Sequence, residues 1–246
     1  MRKKPNLIPR MERCAHMLIA EPEKFLGRWR EEFPAYGEIH LELGCGKGRF
    51  TAQLAADRPD VLLLALEKVP DAMVVAMERA AARGLENVRF MDRDAGLLTE
   101  IFAPGEISRL YINFCDPWPK SRDAKLRLTA PGFLRKYADL LAPGGEIHFK
   151  TDNAALFSWS RDRFAEEGWL LKNVTDDLHA GGPVGVMTDY EAKFYGQGVP
   201  IHRLEAVRAD TAKGTSSGPV PRLRNASLTD ARGFAQSAEA AEEAET

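Results

Sequence analysis

Ile39-His-Leu-Glu-Leu-Gly-Cys-Gly-Lys-Gly48, followed by Arg49-Phe-Thr-Ala-Gln-Leu-Ala-Ala56, decides the fold. An apolar strand runs into a glycine-rich turn and then into a helix, so backbone N–H groups converge where a nucleotide cofactor would sit. The glycines stand at 44, 46 and 48, whereas a dinucleotide fingerprint needs one at the position of Arg49, which weakens a hydride-transfer reading. A phosphate-binding P-loop also fails, because Lys47 precedes the last glycine and no Ser or Thr follows in register. Glu42 lies on the strand just before the turn. It would repel a pyrophosphate and attract a cationic cofactor.

Working outward, Val61-Leu-Leu-Leu-Ala-Leu-Glu67 is a nearly continuous apolar run, as expected of a strand buried on both faces. It ends in a carboxylate about 20 residues beyond the glycine turn, the spacing at which such folds offer an acid to ribose hydroxyls. Asn87-Val-Arg-Phe-Met-Asp-Arg-Asp-Ala95 supplies another strand and two acids, of which Asp94 is the stronger candidate for an adenine amino group and Asp92 the weaker. Tyr111-Ile-Asn-Phe-Cys-Asp-Pro-Trp-Pro-Lys120 joins an alternating strand to a turn stiffened by Pro117 and Pro119. There Asp116 can accept hydrogen bonds from a base edge, Trp118 offers a stacking face, and Lys120 can reach a phosphate. Helix signals cover Asp71 to Arg83 before Gly84, and Pro131 to Leu141 before Pro143-Gly-Gly. Ile201 to Arg208 alternates cleanly and predicts a last, antiparallel strand. This alternation of strand and helix patterns argues for an α/β doubly wound sheet.

A chain of 246 residues with 44% hydrophobic content suits one catalytic domain with extensions. The expected organisation is a basic, partly flexible N-terminal arm over 1–34, a catalytic domain over 35–208, and a tail over 209–246. The tail turns to Thr, Ser, Gly, Ala and Pro, ends in Ala238-Glu-Ala-Ala-Glu-Glu-Ala-Glu245, and is expected to be disordered. The net charge of −2 by itself says nothing in favour of nucleic acid, and its distribution matters more. The first thirty residues carry Arg2, Lys3, Lys4, Arg10, Arg13, Lys24, Arg28 and Arg30 against three acids, and Lys120, Arg122, Lys125, Arg127, Arg135 and Lys136 cluster after the Asp-Pro-Trp-Pro turn. Either patch can hold a polyanion or be a solvated face. No signal-peptide apolar region follows the basic start and no run approaches membrane-span length, so a cytoplasmic protein is expected. Cys14, Cys45 and Cys115 have neither metal-ligand nor disulfide spacing, and the five histidines are scattered, so no metal is implied. Cys115 reads as a small packing residue in preference to a nucleophile.

The glycine turn with Glu42, the strand-end Glu67, Asp94, Asn113-Phe-Cys-Asp-Pro-Trp-Pro-Lys120, Phe149-Lys-Thr-Asp-Asn153 and Thr188-Asp-Tyr-Glu-Ala-Lys-Phe194 together resemble the bacterial tRNA guanine-N7 methyltransferases, over roughly residues 35–208. The chain departs from the family pattern at Cys115, where a Ser is usual, and at Asp123-Ala-Lys-Leu-Arg127, where a more basic run is usual. The resemblance implies a Rossmann-like class I methyltransferase fold: a mostly parallel seven-stranded sheet, helices on both faces, and an antiparallel last strand. It implies transfer of a methyl group from S-adenosylmethionine to N7 of a guanine in the tRNA variable loop, by a monomer or homodimer needing neither metal nor membrane. Glu42, Glu67, Asp94 and Asp116 fall to the cofactor pocket by this resemblance, beside Gly44, Gly46 and Gly48 of the turn. Lys120, Asp152, Thr188, Asp189, Tyr190 and Glu191 fall to the RNA, joined by Arg122, Lys125 and Arg127 of the basic cluster. Thr188 and Glu191 also form a capping-box pattern, which is compatible with an RNA role.

Guanine N7 bears an in-plane lone pair and no proton, so a general base is unnecessary and alignment is the main task. Methylation places positive charge on the purine and acidifies N1–H, so a carboxylate accepting from it binds the transition state better than the ground state. Asp116, at the methyl-transfer junction, is the candidate catalytic residue, with Asp152 as a second candidate for the base. Two rival readings are methylation of an RNA exocyclic amine, since Asp116-Pro-Trp echoes the Asn/Asp-Pro-Pro-aromatic turn, and a catalytically silent RNA-binding subunit. Trp118 in place of the second proline weakens the first; the intact Glu42, glycine turn and Glu67 oppose the second.

Overall fold

The computed structural model describes residues 6–207. In chain order the helices are α1 (Leu7–Arg13), α2 (Trp29–Glu32), α3 (Arg49–Asp57), α4 (Pro70–Ala81), α5 (Leu98–Ile101), α6 (Pro131–Leu140), α7 (Ala154–Glu166) and α8 (Asp189–Tyr195). The strands are β1 (Glu38–Leu43), β2 (Val61–Leu66), β3 (Val88–Met91), β4 (Ile107–Asn113), β5 (Leu141–Thr151), β6 (Leu170–Thr175) and β7 (His202–Val207). They form one seven-stranded sheet in the order β3-β2-β1-β4-β5-β7-β6. The pairs among β1 to β5 are parallel, and β7 runs antiparallel between β5 and β6, as expected from its alternation. Chain order reverses on either side of the β1–β4 pair, and a doubly wound sheet binds its ligand beyond the strand ends at such a point.

Period-two strand geometry explains the layers. Ile39, Leu41 and Leu43 face one side with Leu62, Leu64, Leu110, Ile112, Ile147 and Phe149, packing with Leu134 and Tyr137 of α6 and Phe157 and Phe164 of α7. Leu63, Ala65 and Phe90 belong to a second cluster with Met73, Ala76 and Met77 of α4, so these methionines are core packing. Every residue of β2 is buried, which accounts for its unbroken apolar run.

The expected N-terminal arm is corrected where it lies among the described residues. Trp29 is wholly buried, stacks on Phe25 with ring centroids 4.9 Å apart, and donates its indole N–H to the Ile101 carbonyl at 2.9 Å. The Ile19 amide donates to the Phe90 carbonyl at 2.9 Å, which attaches the segment beside β3. Its cations are engaged within the protein: Arg10 pairs with Glu78 at 2.5 Å, Lys24 with Glu21 at 2.6 Å, and Arg28 with Glu31 and Glu32. Residues 6–34 are therefore a packed part of the fold whose charges are largely compensated. Arg2, Lys3, Lys4, Arg208 and the tail over 209–246 lie outside the described residues. Among the described residues no helix is long and apolar enough to cross a membrane.

Candidate active site

The glycine turn leaves β1 at the sheet's switch point. The amides of Gly44 and Cys45 both donate to the Leu66 carbonyl, at 2.9 and 3.0 Å, tying the turn to the end of β2. Gly44 and Gly46 have φ of +75° and +58°, and a Cβ on either would meet no atom within 4 Å, so their open side is free for a ligand. Gly48 serves another purpose. At φ +72° its Cβ would stand 2.5 Å from the Ala76 Cβ, so the missing side chain lets the start of α3 approach α4. Glu67 closes the turn from β2: one carboxylate oxygen accepts from the Gly46 amide at 2.8 Å and the other from Val69 at 2.9 Å. Each oxygen retains acceptor capacity toward the cleft.

That cleft, about 360 Å³, is lined by Gly44, Glu67, Asp94, Asn113, Asp116 and Trp118, with apolar walls that include Leu66, Val69, Leu128 and Phe133. Asp94 accepts from the Gly96 amide at 2.8 Å and faces Lys68 at 3.9 Å. Asp116 is exposed, and no hydrogen bond or ion pair engages its carboxylate among the described residues. The turn presenting it is bracketed by Phe114 and Trp118, both left-handed at φ 55° and 42°. Non-glycine residues hold that conformation at a cost of about 1–3 kcal/mol each, and only where surrounding contacts enforce it. Arg127 provides those contacts, donating Nε to the Pro117 carbonyl at 2.9 Å and Nη2 to the Trp118 carbonyl at 3.0 Å. Its guanidinium lies 4.3 Å from the Trp159 ring centroid. The expectation that Arg127 faces RNA phosphate is thus corrected: a planar fork matched to two carbonyls is committed to the turn. Burial pushes the Cys115 thiol up to about 12, which makes it an inert packing residue.

Beneath the cleft lies a buried polar network. Glu42, 1% exposed, does not line the cavity; it accepts from the Thr51 hydroxyl at 2.6 Å and from the Asn113 amide at 3.4 Å. Burial pushes its carboxyl up to about 7, against those hydrogen bonds and the nearby Lys150 charge. Glu42, expected in the cofactor pocket, lies behind Asn113. The Asn113 Oδ1 is buried without a partner in the described structure while its residue lines the cleft, so it offers an acceptor to a ligand donor. Lys150 pairs with Asn113 in the β4–β5 register. Its ammonium donates to Glu191 at 2.5 Å and to the Val186 carbonyl at 3.0 Å, and it lies 5.3 Å from the Phe50 ring centroid. Desolvation pulls the lysine below its usual range.

Glu191 is 0% exposed, with Lys150, His179 at 3.1 Å and the Thr188 amide at 3.2 Å around its carboxylate. The expected RNA contact through Glu191 is therefore corrected to an internal one. The Val184 amide donates to His179 Nδ1 at 3.2 Å, which leaves Nε2 as the nitrogen that donates to Glu191. Thr188 caps α8 by accepting from the Glu191 amide at 3.0 Å, completing the capping box. Asp189 pairs with Arg79 of α4 at 3.0 Å. Tyr190 is 64% exposed, and Lys120, Arg122 and Lys125 are exposed beyond the Asp116 turn. Asp152 is half-buried just after β5 and outside the cleft lining, and the next residue, Asn153, caps α7 through the Leu156 amide at 2.8 Å. Asn113, Lys150 and His179 received no role from the sequence. Asn113 and Lys150 stand at or next to the ends of β4 and β5 within motifs the sequence singled out, which was the available signal for them; His179 had none.

A family model described as "Putative methyltransferase" matches residues 37–204. A tRNA (guanine-N(7)-)-methyltransferase of Listeria welshimeri is 44% identical over 207 residues, covering 84% of this chain and 97% of that protein. One of Bacillus velezensis is 43% identical over 206 residues, covering 83% and 95%. Among solved structures, the 16S rRNA methyltransferase KamB superposes with a TM-score of 0.58 at 18% identity, covering 74% of this chain and 93% of that one. A 16S rRNA (adenine(1408)-N(1))-methyltransferase from Catenulisporales acidiphilia, crystallised with its cosubstrate SAM, gives 0.57 at 17% identity, covering 79% and 94%. These two likenesses speak to the fold alone. The sequence matches span nearly the whole of each relative, and the chain belongs to the tRNA (guanine-N(7)-)-methyltransferase family.

Proposed function

We propose that the protein transfers the methyl group of S-adenosylmethionine to N7 of a guanine in tRNA, and that residues 35–208 form the catalytic domain of a cytoplasmic enzyme. The observation that carries this reading is the cleft at the switch point, where the open glycine turn, Glu67 and Asp94 adjoin the Asp116–Trp118 turn. Its residues fit the cofactor: Glu67 has acceptor capacity for a ribose diol, Asp94 for an amino group, and the orphaned Asn113 oxygen for a further donor. When bound, the cofactor supplies an already activated methyl group.

The chain's own residues then have to orient the base. Trp118 offers a stacking face, and Asp116 accepts from the guanine edge as positive charge develops, which is differential binding of the transition state. Positioning of this kind supplies on the order of 7–11 kcal/mol of a barrier. Lys120, Arg122 and Lys125 reach phosphates, and Asp152, Thr188, Asp189 and Tyr190 border the RNA. Incubating tRNA with the purified protein and methyl-labelled cofactor, then separating the nucleosides, tests the reading. Label in 7-methylguanosine supports it; label in an exocyclic-amine product, or cofactor binding without transfer, refutes it.

A further inference from the structure

A second groove, about 760 Å³, lies between α3, α4 and the segment 183–189 that leads into α8. Arg49 and Gln53 of α3 form one wall, and Arg79 of α4 with Arg83 just past its C-terminus the other. Arg79 is neutralised by Asp189, a contact that holds the 183–189 segment against α4. Arg83 donates to the Gln53 amide oxygen at 3.2 Å, and the same amide's nitrogen occupies Asp57 at 2.7 Å. Arg49 and Arg83 are exposed, and neither has a carboxylate within ion-pairing distance among the described residues. Asp57 also lines the groove, so Arg49, Arg79 and Arg83 against Asp57 and Asp189 leave it a formal charge of +1, and the two guanidinium groups without an ion pair can take an anion with several acceptor oxygens.

The groove starts beside the cofactor turn. Arg49 directly follows Gly48 of the cofactor turn, and the Val186 carbonyl on the facing segment is held by Lys150. The wall formed by α3, from Arg49 to Asp57, is about 12 Å long at a rise of 1.5 Å per residue, longer than a single phosphate group. We propose that this groove is a second RNA-binding site, in which Arg49 and Arg83 take backbone phosphates of a single-stranded tRNA segment next to the methylated guanine. The inference rests on the tRNA reading above and extends its footprint beyond the Lys120 cluster.

The test is the full-length Arg49→Gln/Arg83→Gln protein, with tRNA binding measured against salt without turnover and cofactor affinity measured by calorimetry. Two lost single-strand phosphate contacts should flatten the log–log salt slope by roughly 1.4. Cofactor affinity and the thermal midpoint should remain parental. An unchanged slope would return both arginines to the solvated surface, and a joint loss of cofactor affinity or thermal midpoint would assign them to the fold; either result overturns the proposal. Binding judges the groove, whereas methylation of tRNA by the parent judges the activity, so the two can fail separately.

Discussion

Replacing Lys150 with Met keeps an unbranched chain but leaves the fully buried Glu191 carboxylate without its cation. Removing one member of a buried ion pair costs about 3–5 kcal/mol. Here the lower end applies to the pair, because His179 and the Thr188 amide still donate to Glu191. The Val186 carbonyl also loses its donor, adding about 1 kcal/mol. The sum, about 4 kcal/mol, corresponds to a thermal midpoint lower by about 8–16 °C for a protein of this size. Adding Glu191→Gln removes the stranded charge and keeps an acceptor for His179. The double variant should therefore regain about 2 kcal/mol relative to Lys150→Met alone, in thermal or urea unfolding of the full chain. Additivity of the two single changes to within about 0.5 kcal/mol would refute the coupling on which the network rests.

Three further outcomes are expected. Asp116→Asn should lower the single-turnover rate by roughly 10²–10³-fold with little change in tRNA affinity, as for loss of one preorganised electrostatic contact; a parental rate with normal product would make the carboxylate structural and move attention to Asp152. Glu42 has its folded carboxyl raised from 4.5 to about 7, so the folded state binds the extra proton between these values and stability falls as pH rises through them. Glu42→Gln should thus stabilise the protein by up to about 3 kcal/mol at pH 8 and scarcely at pH 4.5, and an equal gain at both would contradict the burial argument. Arg127→Lys should slow methylation by loosening the Pro117–Trp118 turn while leaving the salt slope of tRNA binding parental; a slope flattened by roughly 0.7–0.9 would restore Arg127 to the phosphates.

The sequence by itself determined the architecture and the place of the cleft. Unbroken apolar residues over Val61–Leu66, alternation over His202–Val207 and the glycine turn after Leu43 are local patterns, and each became the element its period predicts. The Thr188–Glu191 capping box was legible for the same reason, since its members are one helical turn apart. What each charged side chain does was decided only by tertiary structure. Glu191 is internal because Lys150, 41 residues away in the chain, meets it in a buried site. Arg10 is compensated by Glu78, 68 residues away, and Arg127 is drawn inward by two carbonyls exposed by a left-handed turn. Glu42 sits below the cleft because Asn113 of the neighbouring strand stands over it. Hydrophobic periodicity repeats along the chain and can be read there, whereas the desolvation and pairing of a charge depend on neighbours that only the folded sheet brings together.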